Sequence, residues 1–356
     1  MKDMIGLVFC KLSDKKFKDK ISPLLASNCF TSLKVFRNTP AERFPQVVYY
    51  PVAKILRRFP VLGFLYRLVT GCIQAAMERD SIVISYNAIP HGIIGHLVSR
   101  ISGRKHVLSL IGTDVHYWFR NSIVRSLILA ICRKSYRVIV TGKTSASVLK
   151  SYGIEEVQVV RNTIDVTQHS IEIAQERETN SIIFVGGLSA NKRVDRVLLL
   201  IEKIKQLGVI LSCSVVGDGE EYHNLKTLAK QLKISEQVEF MGHRQDVSEL
   251  MRSHSVLCLF SENEGFPAVV AEALCSGLFV FTIGAGDIPD IAKTASPLLV
   301  YRQFWDVDFF AEKLITLLTQ PTDVPMAKHV QYYRDYFSYD KGGADWRAAL
   351  SDSCSA

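Results

Sequence analysis

The residue types best able to do chemistry lie in one run, Ser261-Glu262-Asn263-Glu264-Gly265-Phe266-Pro267-Ala268-Val269-Val270-Ala271-Glu272-Ala273-Leu274-Cys275-Ser276-Gly277. Pro267 suits the first position of a helix, because it needs no N–H and its φ is preset, and Gly277 is a natural stop. The free N–H groups at that helix start, with the positive end of the dipole, make an anion site of the kind that holds a phosphate. Val270 and Leu274 share one helix face and can pack on a sheet, whereas Ala268 and Glu272 share another. Small Ala268 leaves room for a ligand. Glu272 has enough acceptor sites to take both hydroxyls of a ribose, and Glu264 sits near whatever hangs from the phosphates. On mechanics alone, Glu264 could equally serve the helix dipole and Glu272 could be a solvated helix residue.

Two glutamates eight apart, with Gly-Phe-Pro after the first and Glu-Ala-Leu-Cys-Ser-Gly at the second, resemble the E-x7-E signature of retaining glycosyltransferases of family 4 (glycosyl transferases group 1), which have the GT-B fold. Other segments agree in order along the chain. Phe184-Val185-Gly186-Gly187-Leu188-Ser189-Ala190-Asn191-Lys192-Arg193-Val194-Asp195 resembles the family's V-G-R-L-x-x-x-K-G-x-D. Val216-Gly217-Asp218-Gly219, Val238-Glu239-Phe240-Met241-Gly242-His243-Arg244, Gly286-Asp287-Ile288-Pro289-Asp290 and Asn162-Thr163-Ile164-Asp165 resemble further family segments. The resemblance covers about residues 80–350 and is most specific in the second half.

The resemblance implies a C-terminal domain that binds a nucleotide-sugar, with Glu264 beside the donor sugar and Glu272 on the ribose. The family lysine matches Lys192, a compact cation suited to offset leaving-group charge on a diphosphate. Glu264 and Lys192 thus carry the implied catalytic roles, and Lys192, Arg193, Arg244, Glu264, Gly265, Phe266, Pro267 and Glu272 the implied donor contacts. Two departures stand out. The family arginine that joins the lysine is Gly187 here, and the glycine after the lysine is Arg193, so Arg193 or Arg196 would have to supply the second charge. In the first half, Leu110-Ile111-Gly112-Thr113-Asp114-Val115 resembles L-H-G-T-D-V, but Ile111 replaces the histidine that contacts the donor sugar; His91 and His116 are nearby in sequence.

Short β-branched runs alternate with amphipathic stretches along the whole chain, the pattern of βα units and parallel sheets. Strand-like runs recur at 6–10, 33–36, 82–85, 107–110, 138–141 and 157–160, then at 182–185, 211–216, 238–241, 256–260, 279–282 and 298–300. Two doubly wound domains fit these counts better than one very wide sheet. The reading is therefore an α/β protein of GT-B type, with two Rossmann-like parallel-sheet domains facing across a cleft. Residues 1–165 would form the acceptor side, 166–325 the donor side, and 326–356 helices packing back across both, with a hinge at 161–180.

The 356 residues are 48% hydrophobic and 22% charged, with 21 Gly and 11 Pro, which excludes disordered and collagen-like classes. The net charge of +8 is unevenly spread: residues 1–150 hold 24 Lys+Arg against 7 Asp+Glu, so the remainder is acidic. The stretch Lys54-Ile55-Leu56-Arg57-Arg58-Phe59-Pro60-Val61-Leu62-Gly63-Phe64-Leu65-Tyr66-Arg67 mixes cations with bulky apolar residues and suits an interface with anionic lipid. No nucleic-acid motif accompanies the basic half, so no nucleic acid is expected. No apolar run is expected to span a bilayer, since Arg67 interrupts 59–77. The eight cysteines show no metal-binding spacing and read as free thiols of a reducing compartment. With no signal peptide read at the start, the expected location is cytoplasmic, peripheral at the inner face of the cytoplasmic membrane. Asp306-Val307-Asp308 has the spacing of a metal-binding pair but precedes a helical stretch, where acidic caps are routine, and no metal or cofactor is expected.

The expected function is transfer of a sugar, with retention, from a nucleotide-sugar co-substrate to a glycan or lipid-linked acceptor in polysaccharide, lipopolysaccharide or glycolipid synthesis. A non-catalytic GT-B-like subunit that binds a nucleotide-sugar or glycan is the alternative, favoured by Ile111 and Gly187.

Overall fold

A computed structural model describes residues 4–40, 43–169, 180–293, 296–320 and 324–351. The chain forms two units, Met1–Thr163 with Ser338–Ala356, and Ile164–Phe337.

The first unit is built on seven parallel strands: β1 (Ile5–Phe9), β2 (Ser32–Arg37), β3 (Val47–Pro51), β4 (Ser81–Tyr86), β5 (Lys105–Ser109), β6 (Arg137–Val140) and β7 (Val157–Val159), in the order β3-β2-β1-β4-β5-β6-β7. Chain order reverses between β1 and β4, so the switch point of this doubly wound sheet lies at their C-terminal ends. β3 is absent from the sequence expectation, although Val47-Val48-Tyr49-Tyr50 between two prolines carries the β-branched and aromatic signal of a strand.

The second unit holds β8 (Ser181–Val185), β9 (Ser212–Val216), β10 (Val238–Gly242), β11 (Val256–Leu259), β12 (Phe279–Ile283) and β13 (Leu299–Arg302), all parallel, in the order β10-β9-β8-β11-β12-β13. Its switch point is at β8 and β11. Ile182, Ile183 and Phe184 of β8, Val256, Leu257 and Cys258 of β11, and Leu198 and Ile201 of the helix Val194–Gln206 join one buried core. Continuous apolar strands buried on both faces are what helices above and below a parallel sheet require.

The last segment does not act as one piece. The helix Met326–Phe337 belongs to the second unit, where Tyr333 and Phe337 are buried. Ser338 breaks the run with an extended backbone, and its Oγ accepts from Lys341 N at 3.2 Å. The helix Tyr339–Ala349 then packs in the first unit against the helix Asp14–Ala26. A Cβ on Gly343 would stand 2.7 Å from the Ala26 backbone, and Asp345 accepts from Arg161 Nε at 2.5 Å. The division expected at 165 and 325 is thus replaced by one at Thr163 and Phe337; half of the expected hinge, 170–179, lies outside the described residues.

Two further expectations change. The helix Pro60–Met77 is, by length and composition, apolar enough to cross a membrane. Arg67 does not interrupt it, because that side chain turns inward, donating to Gly63 O and to Asn38 Oδ1. Cys10, Cys72, Cys132, Cys213, Cys258 and Cys275 are free thiols, but Cys29 is disulfide-bonded, and Cys354 lies outside the described residues.

Candidate donor site

The loops after β8 and β11 meet at the switch point of the second sheet, where open α/β sheets take their ligands. They are tied together by their own polar groups. Asn191 Nδ2 donates to Asn263 O at 2.8 Å, its Oδ1 accepts from Asn263 N at 3.1 Å, and its backbone O accepts from Glu262 N at 2.9 Å. This double clamp brings Lys192 Nζ to 2.6 Å from Glu264 Oε1. Glu264 is the more enclosed partner, its side chain 9% exposed against 25% for Lys192.

Neighbouring turns shape the same loops. Gly286 has φ +57°, and a Cβ there would stand 2.1 Å from Gly265 O and 2.4 Å from Glu264 O. Only glycine allows that approach, and Asp287 N completes it by donating to Gly265 O at 2.9 Å. On the other side Gly219 packs against the Leu188 backbone, where a Cβ would come within 2.2 Å of Leu188 O. Asp218 Oδ2 accepts from His243 N at 3.1 Å and so links the turn after β9 to the one after β10.

Arg193 is the residue with the least comfortable backbone in the site, at φ 48°, ψ 47°. Where the resembled motif has glycine, this chain holds an arginine in the left-handed region. Its guanidinium pairs with Asp195 at 2.8 Å and Glu262 at 2.5 Å, and hydrogen bonding to Asp195 foremost pushes its pKa up. Arg196 Nη1 donates to Phe260 O at 2.9 Å. Arg193 is therefore offset by two carboxylates already in place. Gly187 faces open space: a Cβ there meets only Asp218 O, at 3.8 Å.

Among the residues singled out from sequence, Lys192, Arg193, Glu264, Gly265, Phe266 and Pro267 are brought to this loop pair. Pro267 precedes the helix Ala268–Cys275 as its N-cap rather than occupying its first position. Phe266 packs on Phe337, ring centroids 5.6 Å apart. Glu272 lies within that helix and is buried, 5% exposed, which removes the reading of a solvated helix residue. Arg244 is not drawn in; it follows the edge strand β10, exposed, and pairs with Asp246 at 2.5 Å. Asn191, Glu262 and Asp218 shape the site without having been singled out; Asn191 and Glu262 sit beside residues that were, and Asp218 lies between two glycines. Asp306 Oδ1 caps the helix Val307–Thr319 by accepting from Phe309 N at 3.0 Å, and Asp308 pairs with Lys203. In the first unit, Asp114 Oδ1 accepts from Ala88 N at 3.1 Å and its Oδ2 from Ile111 N at 2.9 Å, fastening the turn where Ile111 stands. The side chain of His116 lies outside the described ones.

Residues 166–335 match the family model described as glycosyl transferases group 1. This stretch is a glycosyl transferases group 1 domain. The group 1 domain and its neighbouring sequence are 28% identical over 233 residues to N-acetyl-alpha-D-glucosaminyl L-malate synthase of Bacillus anthracis, covering 62% of this chain and 60% of that protein. The chain thus spans less than two thirds of that curated relative. Among solved structures, Anabaena HepE in complex with UDP superposes with a TM-score of 0.78 at 16% identity, covering 98% of this chain and 100% of the other. The lipopolysaccharide outer core galactosyltransferase WaaB in its apo form gives 0.75 at 14%, covering 98% and 99%. These likenesses show the fold: the group 1 domain is one of two Rossmann-like parallel-sheet units of GT-B type.

Proposed function

We propose that the chain is a glycosyltransferase that moves a sugar, with retention at the anomeric carbon, from a nucleotide-sugar to a glycan or lipid-linked acceptor in polysaccharide, lipopolysaccharide or glycolipid synthesis. The observation that carries this reading is the Lys192–Glu264 pair held at the switch point of the group 1 domain. Lys192 supplies a cation where a departing diphosphate gains charge, and Glu264 stands beside it to meet the donor sugar. Glu272 accepts hydrogen bonds from the ribose. UDP is the favoured nucleotide, because a structural relative is solved with it. The nucleotide-sugar is a co-substrate, and the proposal assigns no cofactor, no metal and no protein nucleophile.

The test is sugar transfer by purified protein with a panel of UDP- and GDP-sugars. Loss of donor affinity in Glu272→Gln and of turnover in Lys192→Ala supports the assignment. Near-normal affinity and turnover in both would refute it, and tight donor binding with no transfer or hydrolysis would favour a non-catalytic binding subunit.

The proposed location is cytoplasmic, at the inner membrane face. The helix Pro60–Met77 supports it by an inverted pattern: Gly63, Arg67, Gly71 and Ala75 face the protein, while Val61, Leu65, Val69, Ile73 and Met77 face outward. Gly71 lies against Phe9 of β1 and Val98 of the helix Ile93–Ser102, so the small-residue stripe seats the helix closely. The preceding helix Lys54–Arg57 and Arg58 add cations at one end, and each cation near an anionic surface contributes about 1 kcal/mol.

A further inference from the structure

A second buried cluster lies at the switch point of the first sheet, where β1 and β4 end. Arg37 closes β2 beside Cys10, whose N donates to Phe36 O at 3.4 Å. Arg67 reaches the same place from the helix Pro60–Met77, and His91 from the turn Ala88–Gly92 after β4. All three side chains are more than nine-tenths buried, and each keeps one nitrogen without a partner among the described residues: Arg37 Nη1, Arg67 Nε and His91 Nε2. Buried donors are nearly always satisfied, so three together require a reason.

Among the described residues, the charges that act on Cys10 and on His91 have one sign. Arg37 and Arg67 both act on the Cys10 thiol, and Arg67 and Lys11 both act on His91. Burial above all, with those two cations, holds the imidazole neutral and pushes it down to about 3. The carboxylate that Arg37 does reach, Asp14 at 2.8 Å, is 73% exposed and occupies the other arm of the guanidinium. Among the described residues, Arg67 has only neutral partners, Gly63 O and Asn38 Oδ1. A guanidinium withdrawn from water without a counter-charge is costly, and its fork of donors matches a phosphate or carboxylate. His91 can add a third donor in the tautomer that carries its proton on Nε2.

We propose that Lys11, Arg37, Arg67 and His91 form an anion site that receives a phosphate or carboxylate group of the acceptor. Assigning the anion to the acceptor rests on the transferase reading above; the binding of an anion there does not.

The test is isothermal titration calorimetry of the full chain at low salt with inorganic pyrophosphate and, separately, with succinate. The site predicts stoichiometric binding of at least one probe that persists in Lys192→Ala, where the donor-side cation is removed. Arg67→Met should weaken it roughly tenfold or more, the scale of a lost charged hydrogen bond. If Arg67→Met does not fold, the exposed Lys11→Ala and the near-isosteric His91→Gln carry the test, each expected to weaken binding at least threefold with an unchanged melting temperature. Pyrophosphate binding alone assigns a phosphate-bearing acceptor, and succinate alone a carboxylate. The proposal falls if neither probe binds, or if binding vanishes in Lys192→Ala but survives in Lys11→Ala and His91→Gln. Failure of the donor reading appears elsewhere, as unchanged sugar transfer in Lys192→Ala.

Discussion

Lys192 Nζ lies 2.6 Å from Glu264 Oε1, so the cation assigned to the diphosphate is held, before donor arrives, by the carboxylate assigned to the sugar. The two variants should therefore separate affinity from turnover. Lys192→Ala removes a preorganised cation from the leaving group and should lower kcat by about 10²- to 10³-fold. Glu264→Gln releases Lys192 from a competing carboxylate, so UDP should bind a few-fold tighter while transfer falls by a similar factor. Calorimetry with UDP and steady-state transfer rates check both; weaker UDP binding in Glu264→Gln would show that the pair does not compete with the nucleotide.

Gly187→Arg should strengthen donor binding. The position has no left-handed φ, and a Cβ would meet only Asp218 O at an ordinary 3.8 Å. Arg193 cannot readily do the same job, since Asp195 and Glu262 already hold it. A second cation in the loop that carries Lys192 should raise UDP affinity by about three- to tenfold. Unchanged affinity with an unchanged melting temperature would show that a side chain at position 187 points away from the nucleotide.

Gly286→Ala should disturb the donor loop from outside it. The new methyl would require a left-handed backbone at φ +57° and would collide with Glu264 O and Gly265 O. Backbone strain of this kind costs on the order of 1 to 3 kcal/mol. Transfer should drop at least tenfold through misplacement of Glu264, with a lowered melting temperature, whereas Gly208→Ala, also at positive φ but in open space, should keep full transfer.

That a helix begins at the Gly265-Phe266-Pro267 turn was legible to within one residue, because Gly and Pro have local, context-free backbone consequences. The alternation of apolar runs likewise showed two parallel-sheet units. What the sequence left hidden depends on contacts distant in the chain. Asn191 clamps Asn263 across 72 positions, and the break between Phe337 and Ser338 sends one helix to each unit. Composition alone made Arg67 an interruption in an apolar run; its partners Gly63 O and Asn38 Oδ1 show that it faces inward and leaves the large apolar residues outside.

Acid should destabilise the first unit. Burial holds His91 and His106 neutral, each pushed down to about 3 from 6.5, with His106 bonded to Ser85 and Ser135. Their stability is fully present above pH 6.5, where the unfolded imidazoles are also neutral, and is lost as pH falls, because only the unfolded chain takes up protons. At pH 5 each costs about 2 kcal/mol. Asp114 works in the other direction: burial raises it to about 6 from 3.8, so its burial penalty eases on acidification. The two histidines together outweigh it, leaving a net loss of about 2 to 3 kcal/mol between pH 7 and pH 5. Urea unfolding of wild type and His106→Gln at both pH values checks this, and an equal acid loss in the two proteins would assign the effect elsewhere.

Membrane attachment should depend on the outward face of the helix Pro60–Met77 rather than on charge alone. Val61 is 70% exposed, Val69 55% and Met77 67%, yet the inward face is fixed by Gly71 against Phe9 and Val98. Substitutions on the outward face therefore spare the core. Leu65→Glu with Val69→Glu removes two apolar anchors and places two carboxylates against anionic lipid, so flotation with phosphatidylserine-containing vesicles should fall at least tenfold while transfer to a soluble acceptor stays near wild type. Raising salt should weaken, but not abolish, binding of the wild-type chain, since the apolar contribution is unscreened. Complete release of wild type by salt, or unchanged flotation of the double variant, would assign attachment to Lys54, Arg57 and Arg58 instead of the helix face.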